Sequence, residues 1–418
     1  MGKIKQYIYN LLRKSEAFFK LDMIYVAKGG FWITFGQAIS SVVSLLVVIA
    51  FANLLPKETY GIYRYILSLA GILNVFSLLG MNNAVARAVS ANQEGVLKQS
   101  VNYQLKWNMM MLAAFIILSS YYFYEGNELM AFSFLILGAF VPPTLALNTY
   151  GAFLTGKKEF KLVNIANILS TIVYAIGIFL AIILSGDIFW IVFAYAITTF
   201  VPTLLFYIYV LLKFKPKGEM SKETLKYGRE LTFIGFIEPI ASQIDKILLA
   251  HFWGVAELAV YSLALAIPNR VTSFVKGWVG LGYPKLSIKN PDQINETFYR
   301  RLLQGAGVGA LIAVAYIIAA PYVFKYLLPQ YMDSLFYSQI LSISFIFAMP
   351  NRFLSLVFLS QKFSKIILTT DAIQTIIKLI LYAIFGIWVG ILGLIIAYVL
   401  FSFIGLMINI GIWKWRTS

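Results

Sequence analysis

The chain contains no cysteine and a single histidine, His251, among its 418 residues. Disulfides, thiolate-bound metals and a cysteine nucleophile are thereby excluded, and neither a histidine-clustered metal site nor a Ser-His-Asp triad can be assembled. Charge is scarce as well. Asp, Glu, Lys and Arg make up 12% of the residues, against about 25% in an ordinary soluble domain. Acidic residues are the scarcer sign, 18 against 34 basic ones, for a formal net charge of +16. No GxxxxGK[ST] loop is present to cradle a nucleotide. The basic, loosely amphipathic stretch 1–28, with Ile4, Ile8, Leu11 and Leu12 at helical spacing, lacks an apolar run ending in a small-residue cleavage site, and reads as a retained cytoplasmic interfacial helix.

What the chain has in abundance is apolar length. A hydrophobic fraction of 60% and a mean hydropathy of +0.79 define an all-α, polytopic membrane protein. About twelve runs are long enough to cross a bilayer core: roughly 29 to 54, 60 to 82, 101 to 122, 130 to 153, 162 to 185, 188 to 213, 229 to 253, 257 to 284, 302 to 325, 334 to 358, 366 to 386 and 389 to 413. Lys and Arg collect in alternate connections, including Arg87 and Lys98, the Lys157–Lys158–Lys161 cluster, and the five lysines between Lys213 and Lys226. Both termini are therefore expected on the cytoplasmic side. The remaining positive excess fits contact with anionic membrane lipids or handling of an anionic substrate.

The longest connection, 214–227, divides the chain into an N-terminal six-helix bundle, 29–213, and a C-terminal one, 228–418. The halves look related. AFANLLPKETYGIYRYILSL aligns with AHFWGVAELAVYSLALAI, pairing Tyr63 with Tyr261, and Lys161, Asn167 and Thr171 fall opposite Lys365, Asp371 and Thr375 at nearly the same offset. Six spans per copy make the repeat parallel, with a pseudo-two-fold along the membrane normal and a substrate site expected between the halves.

The stretch from Gly228 to Pro284 concentrates the chemistry. Its two hydrophobic segments carry Glu238, Asp245 and Lys246, then Arg270 and Lys276. Each charge near the centre of a membrane helix costs about 2.5 to 3.5 kcal/mol on insertion scales, so the group needs a wet or paired setting. Helical periodicity gathers polar residues into stripes: Gln37, Ser40, Ser41 and Ser44; Tyr60, Arg64 and Ser68; Asn164, Asn167, Thr171 and Tyr174; Glu238, Ser242 and Asp245; Asn269, Ser273 and Lys276; and Asp371, Gln374, Lys378 and Tyr382. Ser, Thr and Asn also serve as packing glue between membrane helices. For Arg and Lys that explanation is weaker, and a shared hydrated cavity is the better one. By depth, Glu238, Arg270 and Lys378 fall near mid-membrane, Arg64 and Asp245 nearer the outer face, and Lys276, Arg352 and Asp371 nearer the cytoplasm. Such a cationic ladder suits a phosphate-bearing headgroup, whose hydration Arg and Lys replace with charge-assisted hydrogen bonds.

Taken with the segments KGGFWITFGQAISSVVSLLVVIAFANLLPKETYGIYRY, LLGMNNAVARAVS, ASQIDKILLAHFWGVAELAVYSLALAI and GYPKLS, the chain resembles the polysaccharide transporters of the multidrug/oligosaccharidyl-lipid/polysaccharide exporter superfamily, of the Wzx-type flippases of O-antigen and capsule precursors. The resemblance implies a V-shaped pair of six-helix bundles. It also implies translocation of an undecaprenyl-diphosphate-linked oligosaccharide from the inner to the outer leaflet of a bacterial cytoplasmic membrane by alternating access. It further implies no enzymatic activity, no nucleic-acid partner and a monomer, with other glycan-assembly membrane proteins as candidate associates. Arg64, Arg270, Lys276, Lys378, Asn269 and Arg352 are the expected substrate-binding residues. Glu238, Asp245 and Asp371 either couple inward proton or sodium movement or balance the positive cavity. No cofactor beyond such an ion is expected. A cation-coupled multidrug exporter of the same superfamily and a membrane polysaccharide polymerase or ligase stand as alternatives. The predominantly basic interior disfavours the first, and the short outer connections disfavour the second.

Overall fold

The computed structural model describes residues 23–280, 294–361 and 363–417, and these form helices with no strand. In chain order they are α1 (Met23–Leu54), α2 (Lys57–Leu73), α3 (Gly80–Ser90), α4 (Val96–Trp107), α5 (Met109–Tyr124), α6 (Glu128–Leu147), α7 (Thr149–Gly156), α8 (Phe160–Leu184), α9 (Ile188–Phe214), α10 (Lys222–Ile234), α11 (Glu238–Ala241), α12 (Ile244–Trp253), α13 (Val255–Gly280), α14 (Phe298–Leu327), α15 (Asp333–Ser342), α16 (Phe345–Ser360) and α17 (Ser364–Thr417). Several starts carry side-chain caps. Asn127 accepts from the Met130 N–H, Asp187 from that of Phe189 and Ser221 from that of Thr224, each satisfying a helix-terminal donor.

Among the described residues seven stretches are long and apolar enough to span a membrane by length and composition, or nine if two bent pairs each count as one. The sequence predicts twelve runs, and the difference has identifiable causes. The segments Lys57–Phe76 and Gly80–Ser90 meet at 57°, and Asp333–Ser342 and Phe345–Ser360 at 42°, so two expected spans are broken helices. The last two expected spans merge in α17, whose helical dihedrals fail only at Gly390, with φ 68° and ψ −139°. There the chain doubles back: a Cβ on Gly386 would meet Leu394, and one on Gly393 would meet the Phe385 carbonyl. Farther along the same hairpin the Gln374 amide donates to Asn409 at 3.2 Å. The two arms of α17 are thus antiparallel. The seventh expected span, 229–253, is three pieces, α10, α11 and α12, separated by turns at 235–237 and 242–243, with Pro239 at the start of α11. Within the stretch expected to be a connection, 214–227, only residues 215–221 are non-helical, because α10 begins at Lys222.

The internal repeat is visible in the backbone. Thr171 donates to the Asn167 carbonyl and Thr375 to the Asp371 carbonyl, both at 2.7 Å. Gly186 and Gly390 stand at the same offset, with φ of 67° and 68°, and each ends the span that carries its threonine.

The ends of α1 and α14 that meet, at Asn53 and Leu327, define one face, here termed distal. The opposite, proximal face carries the start of α1, the start of α14 and the end of α17, where Trp413 stacks on Phe298 at 5.7 Å. At the distal face the two halves close on each other. The Asn53 amide donates to the Leu327 carbonyl at 2.8 Å, Gln330 donates to the Asn53 carbonyl at 3.3 Å, and Lys57 pairs with Asp333 at 2.9 Å. Tyr60 meets Tyr331 edge-on, with ring centroids 6.5 Å apart. Gly61 lets α2 approach α13 so closely that a Cβ there would lie 1.9 Å from the Val255 carbonyl oxygen. A second junction lies near the proximal face, where α3 packs on α10 and the Gly80 N–H donates to the Thr232 hydroxyl at 3.1 Å.

Candidate functional site

Between the halves lies a cavity of about 390 Å3, walled by α2, α12, α13 and both arms of α17, with Val48 of α1 at its edge. Each wall brings charge or hydroxyl for a local reason. In α2 the four-residue spacing of Tyr60 and Arg64 puts both on the inward face. Ser68 satisfies its hydroxyl on the Arg64 carbonyl at 2.7 Å, inside its own helix. In α13 the residues near the distal end, such as Tyr261 and Ser262, are buried, whereas Asn269, Arg270 and Ser273, farther along, are exposed. The chamber is accordingly shut distally and open toward the proximal face.

Four cations, Arg64, Lys246, Arg270 and Lys378, line the chamber against one carboxylate, Asp245. Asp245 is 5% exposed and accepts from Tyr261 at 2.8 Å. Lys246 bonds back to Asp245 at 3.3 Å, to the Ser242 carbonyl at 2.9 Å and to the Gln243 amide at 3.2 Å. That cluster is self-contained, since the carboxylate and ammonium neutralise each other in a nearly dry corner and their remaining bonding capacity is met locally. Arg64, Arg270 and Lys378 have no carboxylate in salt-bridge range among the described residues. Arg64 reaches only the Ser262 hydroxyl, at 3.4 Å, and Lys378 lies 5.3 Å from the centroid of the Tyr382 ring. Arg64 and Ser262 are equivalent positions under the Tyr63–Tyr261 repeat, so their contact marks the line on which the halves meet. Arg64 and Arg270 both act electrostatically on Tyr60 and Tyr174, which places the two guanidiniums around one set of phenols. Three cations outside salt-bridge range of any described carboxylate, set among tyrosine hydroxyls and an asparagine amide, leave the chamber wall with an excess of positive charge.

Of the residues singled out from the sequence, Arg64, Asn269, Arg270, Lys378 and Asp245 converge here. Lys276 belongs to α13, but its side chain lies outside the described residues, as do the GYPKLS segment and the stretch 1–22. Arg352, on α16, is not among the residues that line the chamber. Glu238 is exposed at the start of α11, where its charge is felt by Lys378, and Asp371 is exposed two turns from Lys378 on α17. Lys246 lines the chamber although it stands outside the Glu238, Ser242 and Asp245 stripe. Adjacent residues do not share a helix face, but its long stem folds back across the turn at 242–243. Tyr398 and Ser262 carry no charge to flag them, although the repeat pairs Ser262 with Arg64. Among the described residues no group of three or more His, Cys, Asp or Glu could hold a metal ion.

The architecture is that of a polytopic membrane protein built as two six-helix halves around a central chamber. Solved structures share it. A multidrug resistance MATE family transporter of the MOP superfamily, outward-facing, superposes with a TM-score of 0.62 at 16% identity over 94% of this chain and 96% of its own. An inward-facing one gives 0.62 at 18% identity over 95% and 94%. A MOP superfamily transporter from Pyrococcus furiosus, described by the reverse polarity of its binding pocket, gives 0.62 at 16% over 94% and 95%. Residues 26–287 match the family model described as polysaccharide biosynthesis protein, and the chain belongs to that family. A Shigella flexneri protein named "Putative O-antigen transporter" is 22% identical over 258 residues, which cover 57% of this chain; the match spans about three-fifths, 60%, of that protein's length.

Proposed function

We propose that the protein is a flippase that carries a polyprenyl-diphosphate-linked oligosaccharide, of the O-antigen or capsule type, from the inner to the outer leaflet of a bacterial cytoplasmic membrane. The observation that carries this reading is the chamber's charge: three cations without counter-ions, shielded from the distal side and open to the proximal side. Arg64, Arg270 and Lys378 take the diphosphate, Asn269 and the tyrosines take neighbouring sugar hydroxyls, and the polyprenyl tail stays in lipid. Family membership and the name of the Shigella relative agree with such a cargo. With both termini cytoplasmic, the conformation described is inward-open, and closure at the proximal face with opening at the distal one completes alternating access. The protein works as a monomer, and its surplus of basic residues meets anionic lipid.

Expelling an anion from an inside-negative cell is downhill. A headgroup of charge near minus two gains about 4 to 5 kcal/mol at 100 mV if nothing compensates it. Asp245 is the one carboxylate on the wall, and its bonds to Tyr261 and Lys246 make charge balance its role here. A multidrug exporter selecting cations would face like charge in this chamber. A polymerase needs an outer loop large enough for chemistry, and the distal connections are short, as at 125–127, 185–187 and 328–332.

Reconstitution with a lipid-linked glycan separates these activities. In liposomes the purified protein is expected to move the glycan to the other leaflet without changing its length. Lengthening of the glycan would identify a polymerase, and a glycan that stays where it was loaded while a cationic drug is transported would replace the flippase reading with the exporter one.

A further inference from the structure

A second, chemically different groove of about 350 Å3 lies between α1 and α8, nearer the proximal face than the cationic chamber. Its polar wall is Gln37, Ser40, Asn164, Asn167, Ser170 and Thr171, with Gly36 at the closest approach of the two helices. None of these side chains is ionisable. We propose that this groove is a carbohydrate subsite that holds uncharged sugar residues of the glycan distal to the diphosphate; the assignment rests on the flippase reading above.

Three observations support it. The groove is continuous in register with the chamber. On α1 the stripe Gln37, Ser40 and Ser44 leads to Val48 on the chamber wall, and on α8 the stripe Asn167 and Thr171 leads to Tyr174, whose hydroxyl lies 3.5 Å from that of Tyr63, the neighbour of Arg64 on α2. Eight residues of helix from Ser40 to Val48 rise about 12 Å, a reach of a few sugar units. Three of these groups are also free to bind, whereas Asn164 and Thr171 donate within α8, to the Phe160 and Asn167 carbonyls. Gln37 and Asn167 are exposed, and their side-chain amides have no hydrogen-bond partner among the described residues. The Ser170 hydroxyl is enclosed with none. Polar residues that merely glue helices together spend their bonds on the neighbouring helix, as Gln104 does on Thr149 at 2.7 Å elsewhere in this half. Finally, amides and hydroxyls without charge match the alternating donors and acceptors of sugar hydroxyls, and give a free anion no reason to prefer this groove over the chamber.

The subsite thus divides labour along one path: the chamber reads the diphosphate, which every such lipid shares, and the groove reads the glycan. The test compares two lipids on the full-length protein in nanodiscs: undecaprenyl diphosphate bearing a neutral trisaccharide, and the same lipid bearing a single hexose. The Gln37→Leu/Asn167→Leu double variant is expected to bind the trisaccharide lipid about tenfold more weakly while binding the monosaccharide lipid as wild type does. The milder Gln37→Met variant, nearly isosteric at an exposed position, should show the same selectivity to a smaller degree, and it serves if the double variant does not fold. Equal affinity of wild type and variants for the trisaccharide lipid would mean the groove holds only water. An equal loss for both lipids would mean that it acts on the headgroup or on packing. Either result overturns the subsite. If wild type binds neither lipid, it is the flippase reading that fails.

Discussion

Reversing Arg270 is the sharpest probe of the chamber. The wall carries four cations and one carboxylate, and Asp245 already engages Lys246, so Arg270 is one of three positive groups left for a ligand. At roughly 5 Å and an effective dielectric of about 20, one pair of unit charges is worth about 3 kcal/mol. Arg270 is exposed toward the proximal opening, and solvent screening roughly halves that figure. Arg270→Glu removes one attraction and installs a repulsion of similar size, for a net loss of about 3 kcal/mol, or about two decades in affinity. Arg270→Lys keeps the charge and loses the bidentate fork, so it should fall between. The assay is equilibrium binding of the lipid-linked glycan to purified protein in nanodiscs at two salt concentrations, with thermal unfolding as the control for integrity. The defect should shrink as salt rises. An Arg270→Glu protein that melts like wild type and binds within threefold of it would refute the reasoning.

Two further perturbations address the scaffold. Gly61→Ala cannot be accommodated by side-chain adjustment, because the new methyl would sit on the Val255 carbonyl. The halves should part at the distal face, with a stability loss of about 1 to 3 kcal/mol. Since the chain has no native cysteine, Ser262→Cys alone reports this: its labelling by an impermeant thiol reagent from the distal side should rise when Gly61→Ala is added, and an unchanged rate together with unchanged melting counts against the close approach. Gly390→Ala places a side chain at φ 68° with the Trp253 ring 3.0 Å from the new Cβ, for an expected cost of about 1 to 3 kcal/mol in thermal or denaturant unfolding. Gly411→Ala, which meets nothing within 4 Å, is the matched control and should be neutral or slightly stabilising.

Much of this molecule could be read from its residues, because membranes impose strong rules. Scarcity of charge fixes the class, and the cost of a buried ion singles out Arg64, Arg270, Lys378 and Asp245. The helical period then aligns Tyr60 with Arg64 and Lys378 with Tyr382 on shared faces. Counting along a straight span gives height but not azimuth, and there the reading stops. Arg352 and Asp371 have plausible depths yet stand off the chamber wall, because packing of α16 and α17 decides which way they face. Breaks were hidden for a related reason. The run 229–253 is apolar enough to pass as one span, and only the turns at 235–237 and 242–243, the second carrying Lys246 back over Ser242, reveal that it is three helices. The hairpin at Gly390 was legible as a short gap between two runs, whereas its dihedrals and the Trp253 ring packed on it depend on tertiary contact.

On the flippase reading, the distal seam has a consequence for how transport is powered. Its polar fastenings are one partly exposed ion pair, the same Lys57 ammonium 5.4 Å over the Tyr331 ring, one edge-on aromatic contact and two amide-to-carbonyl bonds, together worth about 3 to 5 kcal/mol. Opening would also wet apolar side chains buried at the seam, such as Leu258 and Tyr331, so the polar sum is a lower bound on its strength. The polar part of the latch is of the same order as the work an ordinary resting voltage would do on the doubly charged cargo proposed. On the flippase reading proposed above, arrival and departure of the load would therefore contribute to tipping the door.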